Sequence, residues 1–183
     1  MLDDVKFNLT YMQNDYPRVW VSSINHMDAF SQITKANPWW KVLLVLNKIP
    51  AGFPQIKIGI RKYPVVFYAE GSLTLFERQL AFKADKDAQL NNYRYSNLKT
   101  DLKFEMDYTT LKVERFVHPK PFMKAFNLNW IKLSPSNNDA GENILLSCGG
   151  SGFQKRRIET LNDEIFQIIQ QKVTPSPPCR RSL

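Results

Sequence analysis

The clearest alternation of apolar and polar positions lies between residues 70 and 84. It forms two short runs on either side of Phe76-Glu77-Arg78. The positions on one side of the runs are Leu73, Leu75, Leu80, Phe82 and Ala84, and those on the other are Ser72, Thr74, Gln79 and Lys83. Alternation with period two predicts a half-buried antiparallel hairpin with a tight polar turn. Gly71 at its start predicts a close approach of two backbones or a bulge.

The same period recurs elsewhere in the chain. Residues 56–62 alternate apolar and basic side chains, which predicts one strand with a basic outer face made by Lys57, Arg61 and Lys62. In residues 102–113 the alternation continues past Thr109-Thr110. Further strands are predicted at residues 5–11, 93–95, 125–133 and 144–148.

Two segments have helical rather than strand periodicity. Residues 154–173 carry one apolar stripe, made by Ile158, Leu161, Ile165, Phe166, Ile168 and Ile169. This predicts an amphipathic helix that is long enough to cover the open end of a small barrel. Ser22-Ser23-Ile24-Asn25 offers caps for a second helix that runs to about residue 36.

A dense apolar run follows Asn37-Pro38, a pair typical of a helix start. The run covers residues 39–46 and includes Trp39 and Trp40, but it is too short to cross a bilayer, which needs roughly 20 apolar residues. We expect a short helix buried on the sheet. The alternative is a segment that dips into a membrane interface, where tryptophan is favoured.

Composition restricts the classes of partner. The chain has 183 residues and a net charge of +8, so it fits one mid-sized domain, or one domain with appendages, that favours anionic partners. Nucleic acid, acidic lipid and acidic proteins meet that description, and so does a basic surface that is simply solvated. Cys148 and Cys179 do not form a disulfide framework, and we expect free thiols in a reducing compartment. The acidic start of the chain lacks the pattern of a secretory signal.

Candidate chemistry is sparse. His26 and His118 have no metal-ligand spacing, so the sequence predicts neither a metal site nor a cofactor. Gly149-Gly150-Ser151-Gly152-Phe153 lacks the second required glycine of a nucleophile elbow and the Lys-Ser/Thr of a phosphate loop. It predicts a flexible hinge between strand and helix, with weak anion capture as the alternative because three bases follow it. Those bases are Lys155, Arg156 and Arg157.

A family resemblance rests on the order of these elements and on several short segments. The segments are Glu70-Gly71-Ser72-Leu73-Thr74-Leu75, Arg78-Gln79-Leu80-Ala81-Phe82, residues 104–114, 128–133 and 143–147, and the closing helix. Together they resemble the pleckstrin-homology-like superfold, and within it the GRAM and bacterial PH-type branch, over residues of about 65–172. The resemblance implies an α+β fold: a PH-like antiparallel β-barrel or sandwich capped by a C-terminal amphipathic helix. Residues 1–64 match no part of the resemblance, and we expect them to add an N-terminal helical extension.

The extent of the resemblance and the neighbouring sequence divide the chain into three parts. Residues 1–64 are expected to form a helical or extended segment packed on the core, and residues 65–173 a PH-like, GRAM-type domain. Residues 174–183 are expected to form a flexible tail, because Pro175, Pro177 and Pro178 stop the helix.

The resemblance implies a non-enzymatic module that binds phosphoinositides, peptides or other proteins. The first hairpin turn departs from the phosphoinositide-binding pattern, because it carries one acid, Glu77, beside one base, Arg78. We therefore expect a cytoplasmic module, peripheral to a membrane where lipid is its partner, that contacts a protein or an anionic membrane surface without a transmembrane segment. The predicted ligand-binding residues are Arg78, Lys83, Lys57, Arg61 and Lys62.

Two other classes of function stay open. One is a small enzyme with a site between residues 1–64 and the sheet, which would use His118 or His26 with a carboxylate partner. The other is a basic nucleic-acid-binding protein, because Tyr93-Arg94-Tyr95 and Trp39-Trp40-Lys41 interleave aromatic rings and bases. The sequence has no signature of an RNA-recognition, KH or zinc-finger module.

Overall fold

Among the residues that the structure describes, strands are the commonest regular element, and a long helix follows the last of them. A computed structural model describes residues 14–35, 49–86, 89–90, 93–118, 128–136, 143–150 and 154–174. Within these residues the strands are β1 (Asn14–Ser23), β2 (Gln55–Ile58), β3 (Arg61–Pro64), β4 (Ala69–Leu75), β5 (Gln79–Ala84), β6 (Gln89–Leu90), β7 (Tyr93–Ser96), β8 (Lys103–Asp107), β9 (Leu111–Phe116), β10 (Trp130–Pro135) and β11 (Ile144–Cys148). The helices are α1 (Ile24–Lys35) and α2 (Lys155–Val173), and a 3-10 turn spans Tyr108–Thr110. The predictions for residues 5–11, 37–46 and 175–183 fall outside the described residues, and so does the part of the predicted strand 125–133 before residue 128.

The described strands form two antiparallel sheets. The larger has the order β8-β5-β4-β1-β11-β10-β9, and the smaller has the order β3-β2-β7-β6. β8 and β9 are the two outer strands of the larger sheet, yet only the 3-10 turn joins them. Since three residues span at most about 11 Å, these two outer strands meet at the turn. The sheet is therefore strongly curled into a half-barrel, which confirms the α+β class and the curled antiparallel architecture.

β1 lies in the middle of the larger sheet. Val19 pairs with Gly71 of β4 on one side and with Cys148 of β11 on the other. The predicted N-terminal extension thus supplies a central strand instead of only packing on the core from outside. The division of the chain at residues 64 and 65 stays a prediction, but the two predicted parts share one sheet.

Gly71 lies where two strand backbones approach closely, as its position in the pattern predicted. A Cβ atom at this position would lie 2.1 Å from the carbonyl oxygen of Lys83 on β5. On the opposite side, β1 has a register shift between Tyr16 and Val19. Pro17 occupies this bulge, where a residue without an N–H group interrupts no hydrogen-bond ladder.

The predicted hairpin is β4 and β5, joined by a turn in which Phe76 N–H donates to the carbonyl of Gln79 at 2.9 Å. All five apolar positions predicted for its inward face are buried. The start of α1 also agrees with its predicted caps, because Ser23 Oγ accepts the His26 backbone N–H at 3.2 Å.

α2 packs on β9, β10, β11 and the 3-10 turn, with its apolar stripe inward. Asn162 lies on the same face and is buried, which the apolar stripe did not predict. Its Oδ1 accepts the Cys148 N–H at 2.7 Å, and its Nδ2 donates to the Asn129 carbonyl at 2.9 Å and to Ser147 Oγ at 3.0 Å. These bonds satisfy both polar atoms of the buried amide and fix the position of the helix along the sheet.

The strand predicted over residues 56–62 is wrong in one respect, because a turn divides it. Residues 56–62 form β2, a turn and β3, and Gly59 in the turn has φ of +60°. Residues 102–113 contain β8, the 3-10 turn and β9. There Asp107 Oδ1 accepts the Thr109 N–H at 2.8 Å and its hydroxyl at 2.7 Å, which stabilises the turn against an extended chain.

Candidate functional site

The hairpin formed by β2 and β3 is the strongest candidate for a contact surface. Ile58 pairs with Arg61, so Gly59 and Ile60 form a two-residue turn. Gly59 is the first turn residue and has a positive φ, which is the conformation that favours glycine there in a type II′ hairpin turn. We call residues 57–62 the basic hairpin tip.

The basic hairpin tip is exposed and carries three positive charges. Ile60 is 94% exposed and Ile58 is 41% exposed. Lys57, Arg61 and Lys62 are also exposed. None of the ion pairs between described residues includes any of the three. No acidic residue occurs between Asp28 and Glu70, so the neighbouring sequence adds no negative charge.

The base of this hairpin is anchored while its tip projects. Pro54 is buried, and its carbonyl accepts the Val65 N–H at 3.1 Å. Phe53 stacks on the His26 ring with a centroid distance of 4.7 Å, and Ile56 packs against the core. Contacts at the base hold the hairpin against the body of the protein and leave the tip open to solvent.

Two lysines of the tip stand directly opposite each other. The register pairs Lys57 of β2 with Lys62 of β3. Side chains directly opposite in an antiparallel pair have Cβ atoms about 5 Å apart, and like charges in that position are destabilising. The tip therefore concentrates positive charge, and the repulsion between its lysines lowers the stability of the unbound protein.

The other two predicted binding residues lie on the larger sheet, away from this hairpin in the strand order. Arg78 is exposed in the turn between β4 and β5, where its charge helps to lower the pKa of Asp107, after the hydrogen bonds from Thr109. Lys83 is exposed on β5, paired with Ser72 and Lys103. The structure thus groups three of the five predicted residues and places two elsewhere.

Sequence reasoning missed the two isoleucines of the tip as functional candidates. It assigned Ile58 and Ile60 to the apolar side of a single strand, whereas the turn at residues 59 and 60 puts Ile60 at the end of the hairpin. The Gly-X pair between two short runs was the available indication, since it is typical of a two-residue hairpin turn.

The histidines bear on the enzyme alternative. His118 is buried, and its Nε2 lies 3.2 Å from Asp28 Oδ1, so it has the carboxylate partner that this alternative requires. The contact joins the segment after β9 to α1, and a structural contact that holds these two elements together would have the same geometry. Burial lowers the pKa of His26, whose Nε2 lies 3.0 Å from the Val65 carbonyl. The enzyme alternative stays a prediction.

A buried polar cluster connects β1, β4 and β7. Glu70 is buried and accepts from Trp20 Nε1 at 2.6 Å and from Arg18 Nε at 3.2 Å. Burial, followed by the nearby Glu70 charge, raises the pKa of Tyr95 to about 12. The Tyr95 ring also packs edge-on against Phe67 at 5.4 Å, so it is not a free platform for stacking a nucleobase. We therefore interpret this cluster as a structural contact between the two sheets and not as a ligand site.

The remaining reactive groups are few among the described residues. Cys148 is a free, buried thiol, and burial raises its pKa to about 12, which fits a packed and inert side chain. No group of three or more His, Cys, Asp or Glu side chains that could hold a metal ion occurs in the described ranges. The helices described, α1 and α2, are each too short or too polar to cross a membrane.

Comparisons with known proteins add no relative. No protein-family model matches the chain. No curated protein matches it. No solved structure matches it.

Proposed function

We propose that this protein is a non-enzymatic, PH-like binding module that contacts an anionic membrane surface through the basic hairpin tip. The observation that carries the proposal is the exposed group of Lys57, Arg61 and Lys62, which lacks ion-pair partners among the described residues. We place the contact at the cytoplasmic face of a membrane, where anionic lipids create a negative surface potential.

The fold supports the PH-like part of this proposal. A curled antiparallel sheet that includes the β4–β5 hairpin, with the C-terminal helix α2 packed on its far strands, is the arrangement that the resemblance implies. Such a module binds through its surface, and the tip of the β2–β3 hairpin is a projecting part of that surface.

Electrostatic magnitudes favour a general anionic surface over one specific headgroup. Each basic residue close to an anionic leaflet contributes about 1 kcal/mol, so three contribute about 3 kcal/mol, or roughly a hundredfold in retention. That is enough for reversible, salt-sensitive binding. A specific binding site for a lipid headgroup at the turn between β4 and β5 is not favoured. Glu77 is next to Arg78 in the sequence, and the charge of Arg78 already interacts with Asp107.

The test is sedimentation with vesicles of phosphatidylcholine, with and without phosphatidylserine, at low and high salt. We expect retention only on vesicles that contain phosphatidylserine, and we expect it to fall as salt rises. The combined variant Lys57→Glu, Arg61→Glu and Lys62→Glu should lose this retention. Reversal at Lys155, Arg156 and Arg157 is the matched control, because it changes the net charge equally at a different place on the chain.

Two results would contradict the proposal. If anionic vesicles never retain the protein at low salt, the membrane contact is wrong and a protein partner becomes the leading hypothesis. If the control variant loses retention as fully as the hairpin variant, net charge rather than the hairpin governs binding.

A further inference from the structure

We infer that the basic hairpin tip enters the membrane interface, with Ile60 inserted below the phosphate level and Ile58 behind it. This inference rests on the proposed function and specifies it: the ligand is the interface of an anionic bilayer rather than a soluble anion. Charge brings the tip to the surface, and apolar contact holds it there.

The turn of the hairpin does not require an apolar residue at position 60. Gly59 supplies the positive φ that the turn needs, so its neighbour is free to be polar. Ile60 instead exposes 94% of its surface, more than Ile58, Phe76 or Val117. The Ile60 side chain is not buried by folding, so it adds no hydrophobic free energy to the folded state. Its transfer out of water on binding would be favourable.

The apolar and basic groups alternate along the hairpin in a way that suits a membrane boundary. Ile60 lies at the end, and Lys57 and Lys62 face each other behind it. Strand residues advance about 3.3 Å each, so the lysine pair lies about 7 Å behind Ile60. Interfacial segments bury their apolar side about 5–10 Å below the surface, which places the lysines near the phosphates. Their flexible stems reach further if the tip moves deeper.

Contact with an anionic membrane relieves two unfavourable local free energies together. The opposed lysines repel each other in the free protein, and Ile60 is hydrated there. An anionic surface offsets the repulsion, and its apolar side accepts the isoleucine. Positions that break local folding preferences without a gain in the fold are expected at functional sites.

The experiment compares tip variants in the vesicle assay, with phosphatidylcholine and phosphatidylserine mixed and salt titrated. Ile60→Ser should weaken retention roughly tenfold at every salt concentration, without changing the salt dependence. Ile60→Leu should restore retention because it restores apolar volume. Val117→Ser is the matched control, since Val117 is also an exposed apolar residue, at 52%, and should have no effect. Inorganic phosphate at the same ionic strength should not compete better than chloride.

A second measurement reports insertion directly. Ile60→Cys in a Cys179→Ser background, labelled with an environment-sensitive fluorophore, should become shielded from an aqueous quencher on anionic vesicles. Buried Cys148 stays unlabelled in the folded protein.

The outcomes separate this inference from the proposed function. If Ile60→Ser is retained like the native chain while the hairpin charge reversal is not, insertion is overturned and the electrostatic contact stands. If inorganic phosphate competes specifically, a soluble anion site replaces the bilayer interface. If anionic vesicles retain none of the proteins, both proposals fail together.

Discussion

At the scale of single residues, Gly71 is the position where a missing side chain has the clearest structural consequence. Gly71→Ala would put a Cβ atom 2.1 Å from the Lys83 carbonyl oxygen, so β4 and β5 must separate. We expect a loss of about 1–3 kcal/mol in the free energy of unfolding, measured by urea denaturation. Ser72→Ala on the same strand is exposed and should change stability by less than about 0.5 kcal/mol. Equal stability of the two variants would show that the strands are not in close contact there.

The Cys148 thiol gives a second residue-scale prediction. Its pKa is raised to about 12, mainly by burial. In a Cys179→Ser background at pH 8, we expect a thiol reagent to react about 1,000-fold more slowly with the folded protein than with the denatured one, because the reactive thiolate is scarce. The reaction is followed by absorbance with and without denaturant. Comparable reaction rates for the folded and the denatured protein would contradict the assignment of Cys148 as a packed thiol.

At the scale of elements, Asn162 determines how α2 sits on the sheet. Asn162→Ala leaves the buried Cys148 N–H without its acceptor, so we expect a loss of about 2–3 kcal/mol in thermal or urea unfolding. Asn162→Asp keeps an acceptor but cannot donate to the Asn129 carbonyl, and it should also destabilise the protein. Gln167→Ala lies on an exposed position of the same helix and serves as the control. A stable Asn162→Ala protein would mean that apolar packing alone positions the helix.

Elements were predictable where one periodicity ran unbroken between turns. The β4–β5 hairpin and α2 agree with their patterns because each buries one regular face. The strand predicted at 56–62 failed because its alternation continues through the turn at Gly59, so period alone could not locate the reversal. Alternation alone did not locate the turn at Thr109-Thr110, which only the resemblance implied, because the cap from Asp107 depends on a side-chain hydrogen bond that the hydrophobic pattern does not encode.

At the scale of the whole molecule, the candidate site was predictable as a charge pattern but not as a shape. Lys57, Arg61 and Lys62 were identified from their alternation with isoleucine, yet their position on a projecting tip depends on contacts at Phe53 and Pro54. The place of β1 between β4 and β11 was also not predictable, because the pairing of strands that are far apart in the sequence does not produce a local sequence pattern. Tertiary contacts, rather than local secondary-structure propensity, determine both the projecting position of the tip and the place of β1.

The position of β1 leads to a test of how the chain is divided. A fragment that begins at residue 65 contains the whole predicted PH-like domain but lacks β1, so β4 and β11 lose the strand that joins them. The buried side chains of Val19, Trp20 and Val21 are removed at the same time. Because exposed sheet edges and a missing core layer both oppose folding, we expect residues 65–183 to show neither near-ultraviolet dichroism nor cooperative unfolding. Co-expression with residues 1–64 should restore both, which distinguishes a missing strand from a damaged fragment. A fragment that unfolds cooperatively on its own, with the stability of the full chain, would show that β1 is dispensable and that a domain boundary near residue 64 is real.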